Sequence, residues 1–229
     1  MSTLEVAAVV LLGTLVGLDL ASVPQMMYSR PLVAGFLGGS VVGHPLPGLA
    51  IGAVLELFAL DSLPVGAVRS PDWGPGTVAV GALAGAHTQG ILASGLLGLV
   101  LVAVVAAWAG GALVHVVRRA NAAAVTARRA ALDAGDLQAI RALQRAGLVR
   151  DAGRSLALTM LALALGDLVS TLFANRWGGP QTVAQLALAA TSLGAALVAG
   201  LRLAGQGMHR LWLVAGLAAG SLAAGVWLR

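Results

Sequence analysis

The segment from Arg30 to Asp72, RPLVAGFLGGSVVGHPLPGLAIGAVLELFALDSLPVGAVRSPD, decides the fold of this chain. Glycine, proline or acidic residues interrupt its apolar stretches, and a spanning helix needs about 20 predominantly apolar residues. Glu56 lies within the apolar run IGAVLELFAL, with no Arg or Lys within ten positions on either side. An ionisable side chain in hydrocarbon costs about 3 kcal/mol or more, so it tends to face a cavity or a partner. The segment therefore predicts broken membrane helices around a polar functional site.

The composition of the whole chain is that of a membrane protein. Apolar residues make up 59% and charged residues 10% of the 229 residues, against about 45–50% and about 25% in soluble domains. The mean hydropathy is +0.91. These values predict an all-α, polytopic membrane protein that forms a single domain over residues 1–229. The chain has no cysteine, which excludes disulfides and thiolate metal sites.

The positive charge is concentrated in one segment. All 14 basic residues are arginines, and eight of them fall between Arg118 and Arg154. The positive-inside rule accounts for this clustering, so we expect a cytoplasmic segment at 118–154 and no nucleic-acid partner. Within it, Asp136 is expected to cap a short amphipathic helix that Gly147 ends. The sequence leaves open whether this helix lies at the membrane interface or forms a docking surface.

Hydropathy divides the chain into a broken-helix half at 1–117, the arginine-rich segment, and a C-terminal transmembrane part at 155–229. We expect two segments of the first half to be too short to cross alone, at Pro31–Gly43 and Gly74–Ala86, and a third, Pro47–Val68, to be interrupted. Discontinuous helices of this kind bind polar substrates in transporters. The expected spanning segments are Leu4–Val23, Ile91–Val117, Ser155–Ala174, Thr182–Leu201 and Leu211–Leu228.

Candidate site residues in the first half carry carboxylate or amide oxygens. A neutral sugar needs such groups, because each of its hydroxyls is both a donor and an acceptor. We expect substrate binding by Glu56, Asp72, Gln25 and Asp19, with Trp73 stacked on the apolar face of a sugar ring. The alternative is that Glu56 and Asp72 pair with Arg30 or Arg69 and hold the broken helices together.

Other polar residues are expected to have structural roles. Asp61 lies beside a predicted turn, and Asp167 is expected to face the protein interior, with Ser170 or Thr171 as its partner. The four histidines show no metal-ligand spacing. We therefore expect no metal site, no cofactor and no catalytic residue in this chain.

Several motifs resemble the membrane subunit IIC of the mannose/fructose/sorbose family of the bacterial phosphoenolpyruvate-dependent phosphotransferase system (PTS). They are Asp19 and Gln25 ahead of SRPLVAG at 29–35, GLAIGAVLEL at 48–57, PVGAV at 64–68 and Pro71-Asp72. GDLQAI at 135–140 and LQRAGL at 143–148 are similar to the cytoplasmic connection of that family. The similarity covers about residues 10–205.

The resemblance implies a sugar permease in the bacterial inner membrane. It implies that the chain works with the membrane subunit IID to move a hexose or related sugar, which the cytoplasmic subunit IIB, charged by IIA, phosphorylates on arrival. It also implies a trimer of IIC–IID pairs embedded in the lipid bilayer. The phosphorylated histidines belong to IIA and IIB, so none of the histidines here receives that role.

The chain departs from the family pattern near the expected site. His44 stands where a family member commonly has Asp, Asp61 stands where glycine is usual, and Arg69-Ser70 precedes Pro71-Asp72. These departures keep open the alternative of a membrane scaffold or sensor that retains the fold but does not transport. A further alternative is an unrelated, proton-coupled secondary transporter with Glu56 as the proton carrier.

Overall fold

The computed structural model describes residues 1–60, 70–87, 93–176 and 180–205, all of it helix, turn or irregular chain without a strand. This confirms the prediction of an all-α membrane protein. The helices are α1 (Thr3–Leu18), α2 (Pro31–Val41), α3 (Pro45–Ala59), α4 (Trp73–Ala86), α5 (Ala93–Ala127), α6 (Arg129–Asp133), α7 (Leu137–Arg176) and α8 (Gln181–Gly205). The predicted span at 211–228 and the predicted turn at Asp61 lie outside the described residues.

Proline and glycine set the short helices of the first half. Helices α2 and α3 each begin at a proline, Pro31 and Pro45, because a proline at the first helical position loses no hydrogen bond. Between them, Gly43 adopts a φ of +78°, which a residue with a side chain rarely adopts. The prediction of two short helices in this half, α2 and α4, is therefore confirmed within two residues at each end.

Glycines let α2 and α3 pack backbone to backbone. A Cβ added at Gly35 would collide with the carbonyl oxygen of Gly48 and lie 2.9 Å from Cα of Gly52. A Cβ at Gly48 would in turn lie 2.9 Å from Cα of Gly39. Small residues at such contacts are the usual means of close helix packing in membranes. The glycine-rich sequence of this half thus produces a tight helical hairpin.

Helix α4 lies at the centre of the molecule. Every residue from Trp73 to Gly85 is buried, and α1, α2, α3, α5 and α7 all pack against this helix. The main apolar cluster joins Leu55 of α3 and Val80 of α4 to Leu99 of α5. A short apolar helix that is enclosed in this way can hold polar groups at its ends without exposing them to lipid.

Within the described part of the chain, three helices are long and apolar enough to cross a membrane by themselves, at Ser94–Ala127, Leu137–Arg176 and Thr182–Arg202. Helix α5 has 35 residues and α7 has 40, which correspond to about 52 Å and about 60 Å. A hydrocarbon core is about 30 Å thick, so both helices extend well beyond it. Their arginine-rich ends, joined by α6, form a helical hairpin outside the span.

The predicted span Leu4–Val23 is wrong in its second boundary. Helix α1 ends at Leu18, and Asp19 follows as its C-cap. The Asp19 carboxylate accepts hydrogen bonds from the backbone N–H of Met26 at 2.7 Å and of Ser29 at 3.1 Å. The chain turns there because this side chain offers the loop backbone a set of hydrogen bonds that competes with helix continuation.

The predicted helix end at Gly147 is also wrong. Asp136 does start a helix, since its carboxylate accepts a hydrogen bond from the N–H of Gln138 at 2.8 Å, but α7 continues through Gly147 to Arg176. A glycine ends a helix mainly by adopting a positive φ. Among the described residues of this segment Gly135 does so, at +75°, and it separates α6 from α7.

The prediction for Asp167 is wrong as well. Its side chain is 64% exposed rather than interior, and its carboxylate lies 3.8 Å from Nε2 of His87. The hydroxyl of Ser170 donates to the backbone carbonyl of Asp167 at 3.1 Å, not to the carboxylate. A serine three residues along a helix reaches the backbone oxygen before it reaches a side chain that points outward.

Candidate functional site

A polar cleft lies where the loop between α1 and α2 meets α5 and α7. Its volume is about 330 Å³, at the lower end of the range of about 300–1,000 Å³ that is typical of small-molecule sites. Hydroxyl, amide, carboxylate and guanidinium groups all reach its wall. The cleft is lined by Leu20, Ala21, Ser22, Gln25, Ser70, Val114, Val117, Arg118, Asn121 and Asp151.

A buried charged network adjoins this cleft through Asp151. Arg154, on α7, donates from Nε to the Asp151 carboxylate at 2.8 Å and from Nη1 to Oδ2 of Asp72. Asp151 accepts a further hydrogen bond from the hydroxyl of Ser22. All three charged side chains are at most 4% exposed. Buried charges of this kind are stable only when they are paired and hydrogen-bonded.

Arg154 also ties the network to α1. Its Nη2 donates to the backbone carbonyl of Gly17 at 3.1 Å and to the hydroxyl of Ser155 at 3.2 Å. The Gly17 carbonyl belongs to the last turn of α1, where carbonyl groups lack helical partners. One guanidinium therefore joins the end of α1, the start of α4 and its own helix α7, which its planar set of donors allows.

Asp72 is the N-cap of α4 and is almost fully buried. Its backbone N–H donates to the carbonyl of Ala107 on α5 at 2.8 Å. Gly110 permits this approach, since a Cβ there would lie 2.9 Å from Cβ of Asp72. Arg154 occupies Oδ2 only, and Oδ1 has no hydrogen-bond partner among the described residues. The carboxylate thus keeps an acceptor position open.

Glu56 lies apart from the cleft and pairs with Arg30. The Arg30 guanidinium donates from Nε to Oε1 of Glu56 at 2.7 Å and also from Nη2. Oε2 of Glu56 accepts from the backbone N–H of Leu32, in the first turn of α2, at 3.0 Å. The side chains of Arg30 and Glu56 are 22% and 19% exposed. This pair fastens the start of α2 to α3, as the structural alternative for Glu56 proposed.

The remaining predicted site residues are separated by the fold. Gln25 lines the cleft and donates from Nε2 to the carbonyl of Leu20 at 3.2 Å. Asp19 is buried, and its described hydrogen bonds go to Met26 and Ser29. Trp73 is buried in the main apolar cluster. Of the five predicted residues, only Gln25 reaches the cleft wall directly.

Several cleft residues escaped the sequence analysis. Asp151 and Arg154 lie in the segment that the arginine count assigned to the cytoplasm, so their burial was not foreseen. Arg154 is 82 residues from Asp72 and 137 from Gly17 along the chain. Asp151 and Arg154 are three residues apart on an amphipathic helix, and this i, i+3 spacing of opposite charges was the one available signal.

A second cleft continues the first towards the arginine-rich hairpin. Its volume is about 440 Å³, and Ser22 and Asn121 line both clefts. Oδ1 of Asn121 accepts a hydrogen bond from Arg150 at 2.8 Å. The remaining wall of the second cleft is mostly aliphatic, with Val125, Leu132, Ile140, Leu143 and Leu148. The polar cleft therefore adjoins a groove on the part of the helices that lies beyond the span.

The described residues hold no group of three or more His, Cys, Asp or Glu side chains that would ligate a metal ion. The arrangement is instead one of hydrogen-bond donors and acceptors around a small space. Such a set orients a polar, uncharged ligand. Among the described residues it offers no activated nucleophile, since the Asp151 carboxylate of its wall is engaged by Arg154 and Ser22.

Comparison with known proteins identifies related chains. Residues 3–199 match the family model of the PTS system sorbose-specific IIC component. The PTS system mannose-specific EIIC component of Escherichia coli (strain K12) is 30% identical over 166 residues, which cover 72% of this chain and 60% of that protein. The PTS system sorbose-specific EIIC component of Lacticaseibacillus casei is 32% identical over 71 residues, covering 31% of this chain and 25% of that protein.

Two solved structures share the fold. A structure described as a membrane protein matches with a TM-score of 0.73 and 23% identity, over 100% of this chain and 96% of that chain. A cryo-EM structure of the mannose transporter ManYZ in complex with microcin E492 matches with a TM-score of 0.61 and 24% identity, over 97% and 87%. At these identities the likeness concerns the fold alone.

The match to the family model spans most of the chain, whereas the alignment with the E. coli relative reaches about 60% of that protein's length. The three candidate spans are those of a multi-pass membrane protein. Together with the motifs around Glu56 and Asp72, this match confirms the resemblance drawn from the sequence. The chain belongs to the sorbose-specific IIC component family of the phosphotransferase system.

Proposed function

We propose that this chain is the sugar-translocating IIC subunit of a mannose-type phosphotransferase system in a bacterial inner membrane. Its substrate is a hexose or related sugar, and transport is coupled to phosphorylation by IIB, which IIA charges. The observation that carries the proposal is the polar cleft in a chain of this family. A cleft lined by hydroxyl, amide and carboxylate groups suits a neutral polyol better than an apolar or strongly charged ligand.

The partners follow from the family and from the shape of the chain. We propose that IID covers the apolar helix faces that this chain leaves exposed, and that IIC–IID pairs form trimers. The ManYZ structure is described as a mannose transporter, which supports a paired membrane assembly here. IIB reaches the site from the side of the arginine-rich hairpin, where the two clefts adjoin each other.

We propose two groups of sugar contacts. Gln25 binds sugar in the cleft as it stands. Asp72 binds through its open Oδ1 when the network of Asp151 and Arg154 rearranges. Trp73 lies beside Asp72 at the start of α4. Glu56 and Asp19, although engaged with Arg30 and with loop amides, remain candidates for contacts in another state of the transport cycle. Alternating access requires that such contacts change between states.

The proposal is tested by sugar phosphorylation. Membranes that contain this chain and its cognate IID are supplied with phosphorylated IIB and with radiolabelled mannose, fructose, glucose or sorbose. We expect sugar phosphate to form with at least one sugar and to disappear when this chain is omitted. An assembled complex that turns over none of them contradicts group translocation.

A second function is favoured by the arginine pairs. Both acids that the sequence singled out, Glu56 and Asp72, bind arginines, as in a membrane scaffold or sensor that keeps the fold without transport. The two functions differ in the effect of Gln25→Ala. A transporter loses sugar affinity with this variant, whereas a scaffold binds no sugar before or after it. Equilibrium dialysis of the purified complex against radiolabelled mannose distinguishes them.

A further inference from the structure

Arg154 bonds to Asp151 of the cleft wall and to Asp72, and it satisfies only one of the two Asp72 carboxylate oxygens. The side chains of Arg154 and Asp72 are 3% and 0% exposed. Nη1 contacts Oδ2 of Asp72, while Oδ1 has no hydrogen-bond partner within the described ranges. A buried acceptor without a partner is destabilising. The other nitrogens of the Arg154 guanidinium are turned to Asp151, Gly17 and Ser155, so Oδ1 is an acceptor position that a ligand hydroxyl can fill.

We propose that Arg154 is a positioning residue that fixes the Asp72 carboxylate so that Oδ1 accepts a hydrogen bond from a sugar hydroxyl. This inference rests on the proposed function and extends it to a residue that the sequence analysis had placed in the cytoplasmic segment. Arg154 itself does not contact the sugar. It acts through the orientation of Asp72.

The anchoring of Arg154 supports this role. Its Nε is held by Asp151 and its Nη2 by the Gly17 carbonyl and Ser155, so the guanidinium plane has little freedom. Gly110 leaves space for Asp72 against α5, and the Asp72 backbone is fixed by Ala107. A carboxylate whose backbone and one oxygen are both fixed presents its second oxygen in one direction, which is the condition for preorganised binding.

The same network joins the open site to the cleft. Asp151 is part of the cleft wall and receives the Ser22 hydroxyl from the loop between α1 and α2. A movement of that loop therefore reaches Arg154 through Asp151, and Asp72 through Arg154. This chain of contacts couples the loop at the cleft to the orientation of the Asp72 carboxylate.

The test is a double-mutant cycle of sugar binding with Arg154→Lys and Asp72→Asn. Lysine keeps the charge but cannot reach Asp72, Asp151 and the Gly17 carbonyl from one nitrogen. Asp72→Asn leaves Arg154 paired with Asp151, so no buried charge loses its only partner. The matched control is Arg145→Lys, which also keeps the positive charge and lies at an exposed position of α7.

We expect each single variant at Arg154 and Asp72 to weaken binding of radiolabelled mannose or sorbose by about tenfold, with the amount of assembled complex unchanged. In the Asp72→Asn background, Arg154→Lys should have no further effect, because Arg154 acts only through Asp72. A purely structural role for Arg154 predicts instead that the two losses multiply. That result, or normal binding by either single variant, overturns the inference.

A second variant serves if Arg154→Lys does not assemble. Asp151→Asn removes one anchor of Arg154 and leaves the Arg154–Asp72 pair electrically balanced. We expect a smaller loss of sugar affinity that also vanishes in the Asp72→Asn background, and an undiminished loss there overturns the inference. A complex that binds sugar but forms no sugar phosphate contradicts group translocation alone, while one that binds no sugar contradicts both proposals.

Discussion

Helices α4 and α8 show two opposite ways of placing an apolar helix in this protein. Every residue of α4 from Trp73 to Gly85 is buried, whereas only 11% of the apolar stretch of α8 is buried within the described part of the chain. Leu186 and Leu193 of α8 are about 70% exposed. Protein shields the polar groups at the end of an enclosed helix from lipid, so the enclosed half can hold a polar binding site. The exposed helix α8 instead supplies a surface for lipid or a partner.

The glycines give the largest expected contrast between the two regions. Gly35→Ala places a Cβ against the backbone of Gly48 and Gly52, and backbone cannot move aside as a side chain can. We expect a destabilisation of about 3 kcal/mol or more, since overpacking typically costs about 1–3 kcal/mol even where side chains can adjust. Gly194→Ala on α8 meets nothing within 4 Å and serves as the control.

The measurement is the midpoint of thermal unfolding of the detergent-purified protein, together with its yield from membranes. Gly35→Ala should lose most of the folded protein, and Gly194→Ala should keep the wild-type yield with an equal or slightly higher midpoint, as expected for glycine to alanine inside a helix. Equal behaviour of the two variants would contradict the tight packing of α2 on α3.

A smaller effect is expected from the ion pair of the enclosed half. Glu56→Gln leaves Arg30 without its carboxylate and weakens the contact to the N–H of Leu32. We expect a loss of about 1–3 kcal/mol, because both side chains are about four-fifths buried and hydrogen bonds to charged groups carry most of that energy. Unfolding of the reconstituted protein by denaturant measures it.

The control is the exposed pair Arg129–Asp133, whose side chains are 81% and 72% exposed. Arg129→Gln should change stability by less than about 0.5 kcal/mol, since exposed pairs contribute little. A loss from Arg129→Gln as large as that from Glu56→Gln would show that charge alone, and not burial, determines the effect.

The smallest expected effect concerns the continuity of α7. Gly147 lies within this helix, and a Cβ there would have its nearest contact 3.6 Å away, at Asn121. Gly147→Ala should therefore stabilise the protein by about 0.5–1 kcal/mol, the usual difference between glycine and alanine inside a helix. If the helix ended at Gly147 with a positive φ, the same substitution would lower the thermal midpoint.

Local signals explain why much of the fold was predictable from the sequence. Pro31, Pro45 and Gly43 act on the backbone at their own positions, so the bounds of α2 followed from them within two residues. Helix α3 begins at Pro45, two residues before the predicted Pro47. The capping role of Asp136 is equally local. The end of α1 at Leu18 was not predictable, because it depends on hydrogen bonds from Asp19 to residues seven and ten positions further on.

The site was predictable only in part, because its contacts are long-range. Gln25 was singled out by its amide group and by the motif that it shares with SRPLVAG, and it reaches the cleft from the loop between α1 and α2. Asp72 was singled out by its motif, but its partner Arg154 lies in a different segment, and the burial of that arginine follows from helix packing. A hydropathy analysis assigns charged residues to water. It therefore does not detect a buried arginine that is paired with a carboxylate from another part of the chain.

The most direct test of this account is whether sugar occupies the cleft, and the chain suits it because it contains no cysteine. Ser70→Cys places one thiol on the cleft wall, and Ser192→Cys places one on α8 as the control. We predict that a water-soluble thiol reagent labels Cys at position 70 but not at position 192, and that mannose or sorbose slows the labelling at 70 in the assembled complex. Labelling at position 70 that no sugar of the phosphorylation panel slows would contradict the cleft as the sugar site.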